Sequence, residues 1–304
     1  MNQSNLKKLQ NLLKEKDTDI FVINRSDEYL NEYISPNAER LNFITNFSGS
    51  AGRAIITPTD AFLYVDGRYT FQANTQINAK EIQAKHLNSF WTDLEKILLE
   101  EEYKIALDPT LHSIIEIEKV EKMLENSTSQ LQLIDKNFVD LIWENQPKTQ
   151  YTDIFDHPTS FAGQGRREKL DILKKFLDQN EIDHYFVSGL DNIAWLLNLR
   201  ADDIKYTPLL YSYLLISKNN KHSLYIKESS MPEILKKEIQ TLININNIEN
   251  IGSIFNNINS SESIGLDFNS TTFYFLDLLR KQKINTKNLA NPCILLKAIK
   301  NETE

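Results

Sequence analysis

Chemistry near neutral pH needs a nucleophile, a general base or a set of metal donors, so histidine, cysteine and grouped carboxylates matter first. The five histidines, His86, His112, His157, His184 and His222, lie far apart in the chain. No two of them have metal-ligand spacing and no H-E-x-x-H occurs. Each reads as a surface or turn residue rather than a ligand. The single cysteine, Cys293, sits in an apolar run and reads as buried and inert. Alone, it can form neither an internal disulfide nor a thiolate metal site. No G-x-S-x-G elbow is present. Ser48-Gly49-Ser50-Ala51-Gly52 lacks the Gly-Lys-Ser/Thr ending of a phosphate loop and reads as a tight turn entering a strand. Glu100-Glu101-Glu102 reads as a solvated charge run. Asp202-Asp203 lies close to Arg200, and an ion pair there could fix a loop. Asp66-Gly67-Arg68-Tyr69 follows a strand directly. Asp-Gly is a turn signal, yet a polar cluster at a strand end is also where sites form, and both readings stand.

The elements that would position these residues are written twice. Leu6, Leu9, Leu12 and Leu13 fall on one helical face, and Leu170, Leu173, Phe176 and Leu177 do the same in the second half. A strand follows each, Asp19-Ile20-Phe21-Val22-Ile23 and Asp183-His184-Tyr185-Phe186-Val187. Arg40-Leu41-Asn42-Phe43-Ile44-Thr45 matches Asn192-Ile193-Ala194-Trp195-Leu196-Leu197 in apolar pattern. Two strand pairs with short polar turns read as hairpins, residues 53–57 with 61–65 and residues 212–216 with 222–226. Lys104-Ile105-Ala106-Leu107-Asp108 matches Ser263-Ile264-Gly265-Leu266-Asp267, and a helical stretch follows each, near 114–124 and 273–279. The repeated order is helix, strand, helical turn, hairpin, helix, strand, helix. That order predicts an α/β fold in duplicate, each unit a mixed sheet flanked by helices. Pro147, Pro158 and Gly163-Gln164-Gly165 break regular structure between the halves. The expected layout is a first domain over 1–145, a linker over 146–163 anchored by burial of Trp143, and a second domain over 164–296. A short remainder, 297–304, follows.

The length of 304 residues suits two domains at roughly 100–200 residues each. With 34 basic and 42 acidic residues the net charge is −8, which disfavours nonspecific nucleic-acid binding. No apolar run is long enough to span a membrane. Met1-Asn2-Gln3-Ser4 leads straight into a charged amphipathic stretch, unlike a secretion signal. A reducing cytoplasm fits one unpaired cysteine.

Four stretches of the first half carry a resemblance: Asp27-Glu28-Tyr29-Leu30-Asn31-Glu32-Tyr33, Ala38-Glu39-Arg40-Leu41, Thr45-Asn46-Phe47-Ser48-Gly49-Ser50-Ala51-Gly52 and Val65-Asp66-Gly67-Arg68-Tyr69. In the second half it lies in Leu190-Asp191-Asn192-Ile193-Ala194-Trp195-Leu196-Leu197-Asn198-Leu199-Arg200, Pro208 and Tyr211-Ser212-Tyr213. From about residue 5 onward the chain resembles the cytoplasmic aminopeptidase P family, Xaa-Pro aminopeptidases of peptidase family M24B. The resemblance implies two tandem creatinase-type α/β domains ahead of a "pita-bread" catalytic domain. That third domain holds two divalent metals, usually manganese, on two Asp, one His and two Glu, and removes an N-terminal residue from peptides with proline second. Lys297-Ala298-Ile299-Lys300-Asn301-Glu302 looks like the opening helix of that domain, and none of the ligand positions is in this chain. The expectation is therefore a non-catalytic part, inactive alone and without its own cofactor. It would support a homo-oligomer and shape access to a metallopeptidase site supplied by a separate catalytic-domain chain. A stand-alone binding or oligomerisation protein and a degenerate remnant are the alternatives. In related creatinases a first-domain arginine reaches the partner subunit's substrate, and Arg53 is the nearest match by motif. Asp66, Arg68 and Tyr69 are the better-marked candidates for lining the access route. Ala201-Asp202 departs from the Gly-Ser usual after Leu-Arg.

Overall fold

The computed structural model describes residues 4–304, so the first three residues of the Met1–Ser4 reading lie outside it. The chain divides into two compact units, Met1–Thr149 and Gln150–Glu304.

The first unit runs α1 (Asn5–Glu15), β1 (Ile20–Asn24), α2 (Arg40–Thr45), β2 (Gly52–Ile56), β3 (Ala61–Val65), α3 (Thr70–Gln76), β4 (Gln83–His86), α4 (Phe90–Glu100), β5 (Lys104–Leu107), α5 (Ile114–Leu124), β6 (Gln130–Leu133) and α6 (Phe138–Ile142). Ser4 caps α1 by accepting from the Lys7 amide, and Leu6, Leu9 and Leu13 are buried. Each such leucine contributes about 1.5–3 kcal/mol relative to exposure. The six-stranded sheet has the order β4-β3-β2-β1-β5-β6. Only β2 runs against its neighbours, because the tight β2–β3 hairpin pairs Ile56 with Ala61 and Gly52 with Val65. β1 and β3 are apolar and largely buried apart from Asn24 at the end of β1, as a sheet covered on both faces requires. Trp143 stacks on Phe43 with ring centroids 4.4 Å apart, the packing role expected for it.

The second unit runs β7 (Phe155–Asp156), α7 (Thr159–Ala162), α8 (Arg166–Gln179), β8 (His184–Val187), α9 (Leu190–Leu197), β9 (Leu199–Arg200), β10 (Tyr213–Ser217), β11 (His222–Ile226), α10 (Glu233–Ile239), β12 (Ile243–Asn247), β13 (Ser263–Leu266), α11 (Phe273–Lys281), β14 (Asn285–Asn288) and α12 (Pro292–Ala298). Its main sheet, β12-β11-β10-β8-β13-β14, repeats the first in order and direction. The mixed α/β fold in tandem duplicate is thus observed.

The repetition reaches single hydrogen bonds. Asp19 accepts from the Lys104 amide at 2.8 Å, and Asp183 accepts from the Ser263 amide at 2.9 Å. Asp17 and Glu181 take positive φ just after α1 and α8, and Asn46 and Asn198 both close a helix in the left-handed region. Asp108 and Asp267, each directly after a strand, bind Asn137 and Asn291, which cap the last helix of each unit.

The polar edge strands β4, β6, β12 and β14 were not legible as strands. Gln83-Ala84-Lys85-His86 and Asn285-Thr286-Lys287-Asn288 carry no apolar run, because an edge strand is half-solvated. Residues 150–163, expected to be linker, are folded into the second unit. Ile154 is buried in its core, and Phe155–Asp156 pairs antiparallel with Leu199–Arg200. The stretch read as an opening helix from Lys297 is instead the end of α12, and residues 299–304 are not helical. Asn301 and Glu304 there exchange the two hydrogen bonds of a helix-start capping box, and Asn301 Nδ2 donates to the Ala162 carbonyl.

Candidate functional site

In open α/β sheets, sites form beyond the carboxyl ends of the parallel strands. In the first unit β1, β3 and β5 end on one edge, and antiparallel β2 begins there. The topology therefore brings Asn24, Arg53, Asp66 and Asp108 to the same edge.

Arg53 belongs to one face of that sheet. Ala54 and Ile56 face the core beneath α1 and α2, so by alternation Arg53 points the other way. Its guanidinium lies 5.2 Å from the ring centroids of Phe90 and Trp91 and is ion-paired with Glu116 on α5. Glu116 also accepts from the Ser113 amide in the capping box that starts α5. Burial pushes the Glu116 carboxyl up, but the Arg53 charge, then His112, hold it below its ordinary value. Arg53 is thus ion-paired inside its own unit, although its buried Nη1 has no hydrogen-bond partner.

The other three candidates sit elsewhere. Asp66 caps a short 3₁₀ turn, Gly67–Tyr69, accepting from both the amide and Nε of Arg68, the latter at 2.8 Å. Those bonds hold the Asp66 carboxyl below the usual range. The Arg68 side chain is 73 % exposed. Tyr69 packs edge-on against Phe47 and shares a 2.7 Å hydrogen bond with Ser50, on the α1–α2 side of the sheet. The structure brings Asp66, Arg68 and Tyr69 together and leaves Arg53 on the opposite face.

Three histidines expected at the surface are buried. His112 Nδ1 meets the Asp108 carbonyl, His184 Nδ1 meets Ser217 Oγ, and His222 Nδ1 accepts from the Ser217 amide. Burial lowers the basicity of all three, His222 to about 4. His184 and His222 start strands and are buried with their apolar neighbours, whereas His112 lies in the turn before α5. Among the described residues no group of three His, Cys, Asp or Glu side chains converges to hold a metal ion. Cys293 is buried, its thiol pushed up to about 12 by desolvation. The loop at Asp202-Asp203 is held without the Arg200 ion pair. Asp203 accepts from the Thr152 amide and hydroxyl and from the Tyr211 amide, while Arg200 donates to the carbonyls of Ala194 and Leu199. Among the described residues no helix is long and apolar enough to cross a membrane.

The second unit holds a cavity of about 480 Å³ that the motifs did not announce, lined by Lys169, Trp195, Arg200 and Lys300 among others. Lys169 is only 1 % exposed and donates to the Trp195 carbonyl at 2.8 Å and Asn198 Oδ1 at 2.7 Å. Its signal in the sequence was position: it sits four residues before Leu173 on the apolar stripe of α8, where a lysine is out of place.

Two profiles described as Creatinase/Prolidase N-terminal domain match the chain, over residues 5–136 and 145–304. A probable Xaa-Pro aminopeptidase P of Paracoccidioides brasiliensis is 34% identical over 238 residues, covering 77% of this chain and 38% of that protein. Its counterpart in Ajellomyces dermatitidis is 30% identical over 318 residues, covering 98% and 51%. The crystal structure of X-prolyl aminopeptidase from Caenorhabditis elegans, described as a cytosolic enzyme with a di-nuclear active site, superposes with a TM-score of 0.89 at 23% identity. It covers 98% of this chain and 51% of that one. The chain thus spans about half the length of these relatives, or less. Two matched domains in tandem, on two sheets of identical strand order, place the chain in the creatinase/prolidase N-terminal domain family.

Proposed function

We propose that this chain is the non-catalytic, N-terminal architecture of an Xaa-Pro aminopeptidase-type protein, shaping access to a two-metal peptidase site that lies outside these two units. The observation that carries this reading is the state of the charged residues at the first carboxyl edge. Arg53 pairs with Glu116, Asp108 accepts from Asn137 and Asp66 accepts from Arg68, all within the unit, and among the described residues no three His, Cys, Asp or Glu side chains group to hold a metal ion. Such a surface positions and narrows; it offers no activated nucleophile or metal cage. Asp66, Arg68 and Tyr69 are the access-lining residues of this reading, with Arg68 exposed although tethered to Asp66. Arg53 serves to hold α4 and α5 against the sheet. The two-metal centre belongs to the catalytic domain of such a protein, in a cytoplasmic homo-oligomer.

The test is an Xaa-Pro peptide cleavage assay with manganese, on the purified chain alone and after mixing with a catalytic domain taken from one of the relatives. No turnover alone, and a rise in activity or a drop in KM on mixing, is the expected result. Turnover by the purified chain alone would overturn the reading.

A further inference from the structure

The cavity in the second unit is unusual for an acidic protein. Four cations line it, Lys169, Arg200, Lys297 and Lys300, against the carboxylates of Asp191 and Glu304. Lys297 is paired with Asp191. Lys169 and Arg200 are buried or partly buried, yet among the described residues their hydrogen bonds go only to carbonyl and amide oxygens. Two cations facing one cavity without a bonded counter-ion is an arrangement that a buried site tolerates poorly unless an anion completes it. The cost shows on Lys169: burial first, then the Arg200 and Arg166 charges, draw its ammonium down to about 8, with Glu304 opposing. The Trp195 ring lies under Lys169 Nζ at 4.4 Å and supplies an apolar floor beside the charges. The chain already places one carboxylate at this mouth, where Trp195 Nε1 donates to Glu304 Oε1 at 3.2 Å.

We propose that this cavity is a binding site for a small organic carboxylate, its oxygens held by Lys169 and Arg200 and its carbon skeleton lying on Trp195, with Glu304 as the internal competitor. The volume of about 480 Å³ lies within the range that small-molecule pockets occupy, roughly 300–1,000 Å³. A carboxylate suits the planar guanidinium of Arg200 and the apolar ring together. This site is independent of the peptidase-access reading, since it lies wholly in the second unit and uses none of Asp66, Arg68 or Tyr69.

The experiment is calorimetric titration of the purified chain with succinate, with succinamide as the uncharged analogue and inorganic phosphate as the alternative anion. Saturable succinate binding with a dissociation constant of about 1 mM or tighter is expected, with none for succinamide. Glu304→Gln should tighten it several-fold by removing the competitor, and Arg200→Gln should weaken it about tenfold. Arg200 also bonds two carbonyls, so the indole Nε1–H resonance of Trp195 is followed in the wild-type chain, where it must move on adding succinate. Failure of both the wild type and Glu304→Gln to bind, or equal binding of succinamide, overturns the proposal. Binding of phosphate without succinate overturns the assignment to a carboxylate.

Discussion

Glu116 shows how one side chain serves sequence-local and tertiary demands at once. It completes the capping box of α5 and also neutralises Arg53 across the sheet. Glu116→Gln preserves the cap but leaves a guanidinium sandwiched against Phe90 and Trp91 without its counter-charge. Stability should fall by about 1–3 kcal/mol, read as a lower urea midpoint. An unchanged midpoint would show that the pair is solvated and that Arg53 is free after all. His222 gives a pH signature. Its Nδ1 accepts from the Ser217 amide, so the folded chain keeps the ring neutral, and burial draws its value from 6.5 to about 4. The unfolded chain binds that proton first as pH falls, so the stabilisation is complete above about 6.5 and is lost between there and about 4. The loss should be on the order of 2–3 kcal/mol, and His184 and His112 act in the same direction. His222→Asn, which keeps an acceptor for Ser217, should flatten the dependence seen by urea unfolding at neutral and acid pH. An identical slope in the variant would assign the effect to other groups.

At the scale of elements, the two copies of one strand differ by a methyl group at one buried position. Ala106 in β5 stands opposite Phe21, and Gly265 in β13 stands opposite Tyr185. A Cβ on Gly265 would lie 2.6 Å from Tyr185 Cδ2 and 2.9 Å from Ile182 Cδ1, both within the second core. Gly265→Ala is therefore an overpacking change, costing about 1–3 kcal/mol, although alanine is the natural residue at the equivalent place. Thermal unfolding tests this, and a melting temperature equal to wild type would mean that α8 can shift away. The outer strands follow another rule. They join the sheet through backbone pairing and need no apolar face, so residues as polar as Asn285–Asn288 hold a register set by Ser263–Leu266.

At the scale of the molecule, each unit buries its own core and carries its own complete six-stranded sheet. A chain cut to residues 1–149 and one cut to 150–304 should each fold, with dispersed amide spectra and a cooperative denaturant transition. If residues 164–304 folded as well as 150–304, Ile154 and the β7–β9 pair would count for nothing. We expect that shorter piece to lose stability, because it leaves Leu199–Arg200 unpaired and opens the core at Ile154.

The duplicated architecture was legible because the features that specify it are local and strong. Leu6, Leu9 and Leu13 show a helical face, Phe62–Val65 and Leu224–Ile226 show buried strands, and Leu107-Asp108 and Leu266-Asp267 mark the same turn twice. The family likeness was legible for the same reason, through ordered blocks such as Val65-Asp66-Gly67-Arg68-Tyr69. What the linear order could not disclose depends on through-space neighbours of the opposite charge or none. Arg53 meets Glu116 sixty-three positions away, while Tyr69, nearer in sequence, reaches the other face from the 3₁₀ turn that follows β3. Burial of His112, His184 and His222 and the gathering of Lys169, Trp195 and Arg200 around one cavity were likewise decided only by the packed chain. A side chain's polarity fixes its cost of desolvation, but only the tertiary fold decides whether water is removed and which partner replaces it.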